Sequence, residues 1–233
     1  MSNFTQLTQT EYWNSKAGEE WARQADLMDR MLQPLTQPAF DLLNLKPGER
    51  VLDIGCGAGA TTLQAASYIG DGQAVGADIS KPLLALARER AAAKGANAHF
   101  VEADVSAAPL RDAPFDAAFS RFGVMFFDDT ADPDAPGPFQ LQDPDKTKAM
   151  LATSGWRDVS ITPWDGDVLV GGGGDADSAA ALLLKIGPCA RAITDQQLDA
   201  AEAQRLLSEF LRKHETSSGV ALPAACWIVR AVV

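Results

Sequence analysis

Val51-Leu52-Asp53-Ile54-Gly55-Cys56-Gly57-Ala58-Gly59 is an apolar run that breaks into three alternating glycines, and Ala60-Thr61-Thr62-Leu63 then opens a helical pattern. Glycines here let the backbone approach a ligand with no side chain in the way, and a helix N-terminus offers N–H groups that lack intrahelical partners. A strand, tight turn and helix of this kind suits a polar or anionic ligand group. Taken alone it is not decisive, because Gly55, Gly57 and Ala60 also satisfy the looser dinucleotide fingerprint G-x-G-x-x-G/A.

Outward from this turn, short apolar runs at 50–54, 73–78, 98–102 and 115–120 read as strands, with helical segments between the first three. The second of these helices carries its own punctuation: Ser80 can cap it, Pro82 fits its first turn and Gly95 can end it in a left-handed conformation. Such crossovers imply an α/β fold with a parallel sheet covered by helices. Upstream, apolar residues recur at helical steps over 19–35, and Lys46-Pro47-Gly48-Glu49 turns the chain into the first strand. Downstream, 129–144 is dense in Asp and Pro and reads as a loop. A helix over 146–154, a strand over 158–164, a glycine turn at 171–174, two helices and a buried strand within 220–233 complete the expected order.

Composition limits the partners. The 233 residues, 46% hydrophobic, suffice for one sizeable domain. The expected division is a helical lid over 1–45, a ligand-binding half over 46–130 and a C-terminal half over 131–233. With 31 acidic against 20 basic residues the formal charge is −11, which disfavours a nucleic-acid partner held through phosphates. Cys56, Cys189 and Cys226 lack the paired spacing of a metal or redox motif, so no metal is expected and a reducing, cytoplasmic setting fits. The N-terminus shows no basic region followed by an apolar run, and no stretch reads as a membrane span. Oligomeric state cannot be read from these features.

Two acids sharpen the reading of the glycine turn. Asp78 ends the second strand, nineteen residues beyond Gly59, where a carboxylate can accept from both hydroxyls of a ribose. Asp104 follows the third strand in Glu102-Ala103-Asp104-Val105, further along the same edge and in reach of an adenine amino group. A dinucleotide site does not require that second acid.

The series V-L-D-I-G-C-G-A-G, A-D-I-S, E-A-D-V and F-D-A-A-F-S-R-F-G-V-M-F-F resembles the class I S-adenosylmethionine-dependent methyltransferases, in their bacterial small-molecule form. The resemblance runs from Tyr12 to about Asp129 and continues more weakly to Trp227. It implies a Rossmann-like, doubly wound, mostly parallel sheet with an antiparallel C-terminal strand, and S-adenosylmethionine as cofactor. It further places Gly55, Cys56 and Gly57 at the methionine part, with Asp53 near its amino group. Asp78 and Ile79 fall at the ribose, and Ala103, Asp104 and Val105 at the adenine. Ser120 and Arg121 line the floor beneath the methyl donor. Tyr12-Trp13-Asn14 resembles an N-terminal lid, and Phe122, Phe126 and Phe127 are candidates for an aromatic wall beside the sulfonium. The reaction implied is in-line methyl transfer to a small molecule, which demands positioning above all; no general base is identified.

Other patterns are better explained by structure. Tyr12 and Lys16 form Y-x-x-x-K, but ahead of the nucleotide strand and not after it. Gly171–Gly174 lacks the Lys-Ser/Thr ending of a phosphate loop. His99 is expected to face the covering helices, and His214 to lie at a charged helix end.

The series also has a gap. After Phe127-Asp128 the resemblance leads to expect a helix, a Pro-Gly-Gly type turn and a fifth parallel strand, and none is found; a few dozen residues' worth of crossover is missing. The fourth strand would then need a substitute neighbour, and the expected one is the C-terminal strand over 222–232, paired antiparallel. Two alternatives follow: a cofactor-binding protein impaired in turnover, and a nicotinamide-linked oxidoreductase, for which no second mononucleotide half is recognisable.

Overall fold

The computed structural model describes residues 7–108, 110, 114–127, 137 and 139–233. The expected Asp/Pro-rich loop lies largely outside them. In chain order the elements are α1 (Gln9–Trp13), α2 (Lys16–Arg23), α3 (Ala25–Leu43), β1 (Arg50–Ile54), α4 (Ala60–Ile69), β2 (Gln73–Asp78), α5 (Lys81–Lys94), β3 (Ala98–Glu102) and β4 (Ala117–Phe119). A 3-10 turn (Val124–Phe126) follows, then α6 (Pro144–Thr153), β5 (Arg157–Val170), α7 (Ala176–Leu183), α8 (Gly187–Gln196), α9 (Ala200–Arg212), β6 (Glu215–Thr216) and β7 (Gly219–Val232).

The chain divides into two compact units, one of Met1–Glu19, Pro38–Thr162 and Trp227–Val233, the other of Glu20–Gln37 and Pro163–Cys226. In the first, four parallel strands lie in the order β3-β2-β1-β4. Leu52 pairs with Val75 on one side and Ala118 on the other, and Gly76 pairs with Phe100. β2 is buried along Ala74–Ala77, as expected of a strand covered on both faces. Val51, Ala65, Ala66, Ile69, Ala74 and Phe40 form one core cluster; Cys56, Leu63, Leu84, Ala87, Ala91 and Phe100 form another. Phe40 stacks on Phe119 at 4.7 Å and on Tyr68 at 5.6 Å between ring centroids.

The second unit has its own core of Val170, Ala176, Ala179, Ala180, Leu211 and Val220. Gly171, Gly172 and Gly173 adopt positive φ in the turn that leads to α7, whose N-cap Asp175 accepts from Ser178 N–H. β7 lies between β5 and β6 in a second sheet, antiparallel to β6, and β5 and β7 each contribute residues to both units.

Several expectations need correction. The C-terminal strand does not pair with the fourth: among the described residues β4 pairs with β1 alone, and β7 takes β5 and β6. Length explains the choice, since β5 and β7 are each 14 residues long whereas β4 has 3. A long strand satisfies far more backbone groups against a long partner. β7 is also not buried throughout; Val220 is enclosed, whereas Trp227, Val229 and Val232 are exposed. Three helices, not two, follow the glycine turn, and the helix read over 19–35 is two, broken at Gln24. His99 is exposed on edge strand β3 instead of facing the helices. Gly95 ends α5 in the left-handed conformation and Pro82 sits in its first turn, as expected, but the Ser80 hydroxyl does not cap it.

Phe40 is only 4% exposed. Replacing it with alanine removes the ring that packs against the end of β4, and the expected loss is about 3–5 kcal/mol of unfolding free energy in urea titration.

Candidate functional site

Parallel polarity puts the carboxyl ends of β1, β2, β3 and β4 at one edge of the sheet, and Asp53 to Gly57, Asp78, Ile79, Ala103 to Val105 and Ser120 to Phe122 end or directly follow those strands. Short bonds tie neighbouring ends together. Gly55 and Cys56 N–H both donate to Ala77 O, Ala103 N–H donates to Asp78 O, and Ser120 Oγ donates to Ile54 O at 2.8 Å. Gly57 N–H then donates to Asp78 Oδ2 at 2.7 Å, which joins the glycine turn to the acid at the end of β2.

The turn glycines serve different needs. A Cβ on Gly55 would fall 2.7 Å from Gly123 Cα, so the turn touches the segment after β4 backbone to backbone. A Cβ on Gly57 would meet nothing within 4 Å, yet its φ of +53° is the left-handed region that glycine enters at little cost. The backbone of Gly57 therefore borders open space.

Asp53 is 2% exposed. Its Oδ2 accepts from Thr61 Oγ1 at 2.6 Å and Thr62 Oγ1 at 2.7 Å, while Oδ1 has no partner among the described residues. Burial pushes this carboxyl up; the two threonine hydroxyls and the nearby Arg121 charge oppose that, and Asp78 adds to it. Asp78 is likewise raised by burial, against the N–H donors of Ser80, Gly57 and Ile79. The Cys56 thiol is buried and pushed well up by its burial and by the two neighbouring acids, which keeps it protonated and unreactive. Asp104 is exposed, and its Oδ1 accepts from Ser106 N–H and Oγ. Val105 is half-buried beside it.

After β4, Phe122 has a φ of +63°, a strained conformation for an aromatic residue, of the kind that concentrates at functional sites. Phe126 packs edge-on against Trp13 at 5.5 Å, and Tyr12 packs edge-on against Trp13 at 5.3 Å. The predicted lid residues and aromatic wall thus meet.

Sequence reasoning missed four participants: Thr61 and Thr62, which hold Asp53; Gly123, which admits Gly55; and Arg90, whose guanidinium donates to Ala58 O at 3.0 Å. The hydroxyl pair directly after the glycine turn was the one signal available.

The family described as methyltransferase domain matches residues 51–135, the stretch that carries all four strand ends. Over that stretch the chain is similar to the methyltransferase domains. A demethylmenaquinone methyltransferase of Thermus thermophilus is 36% identical over 115 residues, covering 47% of this chain and 52% of that protein. A ubiquinone/menaquinone biosynthesis C-methyltransferase UbiE of Ectopseudomonas mendocina is 40% identical over 88 residues, covering 36% and 34%. The chain spans about half the length of the first relative and about a third of the second. Among solved structures, a phosphoethanolamine N-methyltransferase 2 from Haemonchus contortus has a TM-score of 0.59 at 16% identity, covering 97% of this chain and 60% of that one. That likeness is one of fold.

The sheet edge has groups that fit S-adenosylmethionine. The free Asp53 Oδ1 is an acceptor suited to an ammonium, and the open space beside Gly57 admits a ligand against the backbone. Each Asp78 oxygen already takes an N–H, but a carboxylate offers about four acceptor positions, so room remains for hydroxyl donors.

The raised Asp53 carboxyl has a stability consequence. The folded state holds that proton more tightly than the unfolded chain, so this contribution favours folding at low pH and is lost as pH rises from the ordinary carboxylate range through the folded-state value. Comparing D53N with the wild type by urea unfolding across pH 4–8 should shift the stability difference in favour of the variant as pH rises. A difference that moves the other way contradicts the assignment.

Proposed function

We propose that this protein transfers a methyl group from S-adenosylmethionine to a small, fairly apolar acceptor. The observation that carries the reading is the convergence of the glycine turn, Asp78 and the Asp104 loop on one sheet edge, with Gly57 N–H bonded to the Asp78 carboxylate. In this reading Asp53 Oδ1 takes the cofactor's ammonium and Gly55, Cys56 and Gly57 flank its methionine part. Asp78 and Ile79 take the ribose, Ala103, Asp104 and Val105 border the adenine, and Ser120 and Arg121 form the floor.

The cofactor supplies an activated methyl on a sulfonium leaving group. What this chain's residues contribute is placement: bonds at both ends of the cofactor fix the line of attack, and the Trp13, Phe122 and Phe126 rings exclude water. The aromatic wall, together with relatives named as quinone-biosynthesis C-methyltransferases, supports an aromatic or quinone-like acceptor. The net charge of −11 weighs against nucleic acid, and three free cysteines suit a cytoplasmic setting.

One observation favours a second reading, cofactor binding without efficient turnover. β4 has a single neighbour among the described residues, so the sheet ends beside Ser120 and Phe122 where the acceptor would be held.

Isothermal titration decides the cofactor part. S-adenosylhomocysteine should bind and NAD should give no heat. D78A should weaken binding by about ten- to a hundredfold, the loss expected for hydrogen bonds to a charged acceptor. Binding of NAD in preference to S-adenosylhomocysteine contradicts the proposal; binding without methyl transfer to a quinol panel favours the second reading.

A further inference from the structure

The candidate cofactor site explains Asp78 but not the segment that follows it. There the Asn14 side chain uses both ends of its amide: Nδ2 donates to Ile79 O at 2.8 Å and Oδ1 accepts from Lys81 N–H at 2.9 Å. This is the donor and acceptor pair with which a neighbouring strand would engage Ile79–Lys81. Nδ2 also donates to Thr10 O at 2.8 Å, which braces the amide against α1. Between these two bonds the Ser80 hydroxyl donates to Trp13 O at 2.9 Å. Ser80 is fully buried, and its hydroxyl serves the N-terminal segment instead of capping α5.

The same residue faces the other way through its backbone. Ser80 N–H donates to Asp78 Oδ1 at 2.8 Å, so one residue holds both the ribose acceptor and the N-terminal segment. At its far side that segment rests on Phe126 through the Trp13 ring. The N-terminal segment is therefore pinned at two places, one beside the proposed ribose site and one at the aromatic wall proposed beside the sulfonium.

We propose that Asn14 is a positioning residue: through Ile79–Lys81 it couples closure of the Gln9–Gly18 segment to occupation of the ribose site at Asp78. The inference rests on the S-adenosylmethionine-binding reading. Linkage makes the coupling reciprocal: whatever orders Ile79–Lys81 favours the closed segment, and the closed segment tightens the ligand.

Two variants and two readouts test it. N14A removes the side-chain bridge, and S80A removes only the hydroxyl bond to Trp13 while leaving the Ser80 backbone on Asp78. In titration with S-adenosylhomocysteine, N14A should weaken binding about five- to twentyfold and S80A about threefold to tenfold, as expected for loss of the two bonds to Ile79–Lys81 and of the one to Trp13. In hydrogen exchange, the ligand should protect amides over 9–18 in the wild type, with that protection lost in N14A while protection over 55–59 persists. Wild-type affinity together with undiminished protection over 9–18 in N14A overturns this inference alone. Failure of the wild type to bind S-adenosylhomocysteine overturns the functional reading and this inference with it.

Discussion

The bond from Gly57 N–H to the Asp78 carboxylate is the interaction on which the site depends. It can form only because β1 and β2 run parallel and in register from Arg50↔Gln73 to Ile54↔Ala77, so that both chains leave the sheet together. An antiparallel neighbour would bring its acid to the opposite edge. The same polarity brings Ala103 onto Asp78 O and Ser120 onto Ile54 O, so the four loops form a connected rim.

Holding that rim imposes electrostatic costs. Asp53 and Asp78 are both shifted upward by burial, and each is opposed by donors from the protein: hydroxyls for Asp53, backbone N–H groups for Asp78. An unpaired buried carboxylate oxygen is unfavourable in an isolated protein. It becomes useful where a cationic ligand group completes it, which is the role proposed for Asp53 Oδ1. The strained Phe122 and the Gly55–Gly123 contact on the other side of β1 show the same pattern, in which local conformational cost accompanies a functional edge.

Much of this was legible in the sequence. β1, β2 and β3 begin and end where the apolar runs and their glycine, proline and acid punctuation place them, because such signals are local. The placement of the acids at 78 and 104 at strand ends was legible by spacing, which strand and crossover lengths constrain. Strand pairing between distant segments was not: β7 pairs with β5 and β6, a choice made by strand length and not by any motif. Nor was the role of Ser80, whose hydroxyl could cap α5 or reach Trp13; only the fold decides which acceptor is nearer. The exposure of His99 follows from β3 lying at the sheet edge, which its own residues do not encode.

A crystal structure of the chain with S-adenosylhomocysteine tests the central claim most directly. Both ribose hydroxyls are expected on Asp78, the adenine beside Asp104 and Val105, and the amino group on Asp53 Oδ1. A ligand bound elsewhere, or one seated at this edge with its ribose away from Asp78, contradicts it.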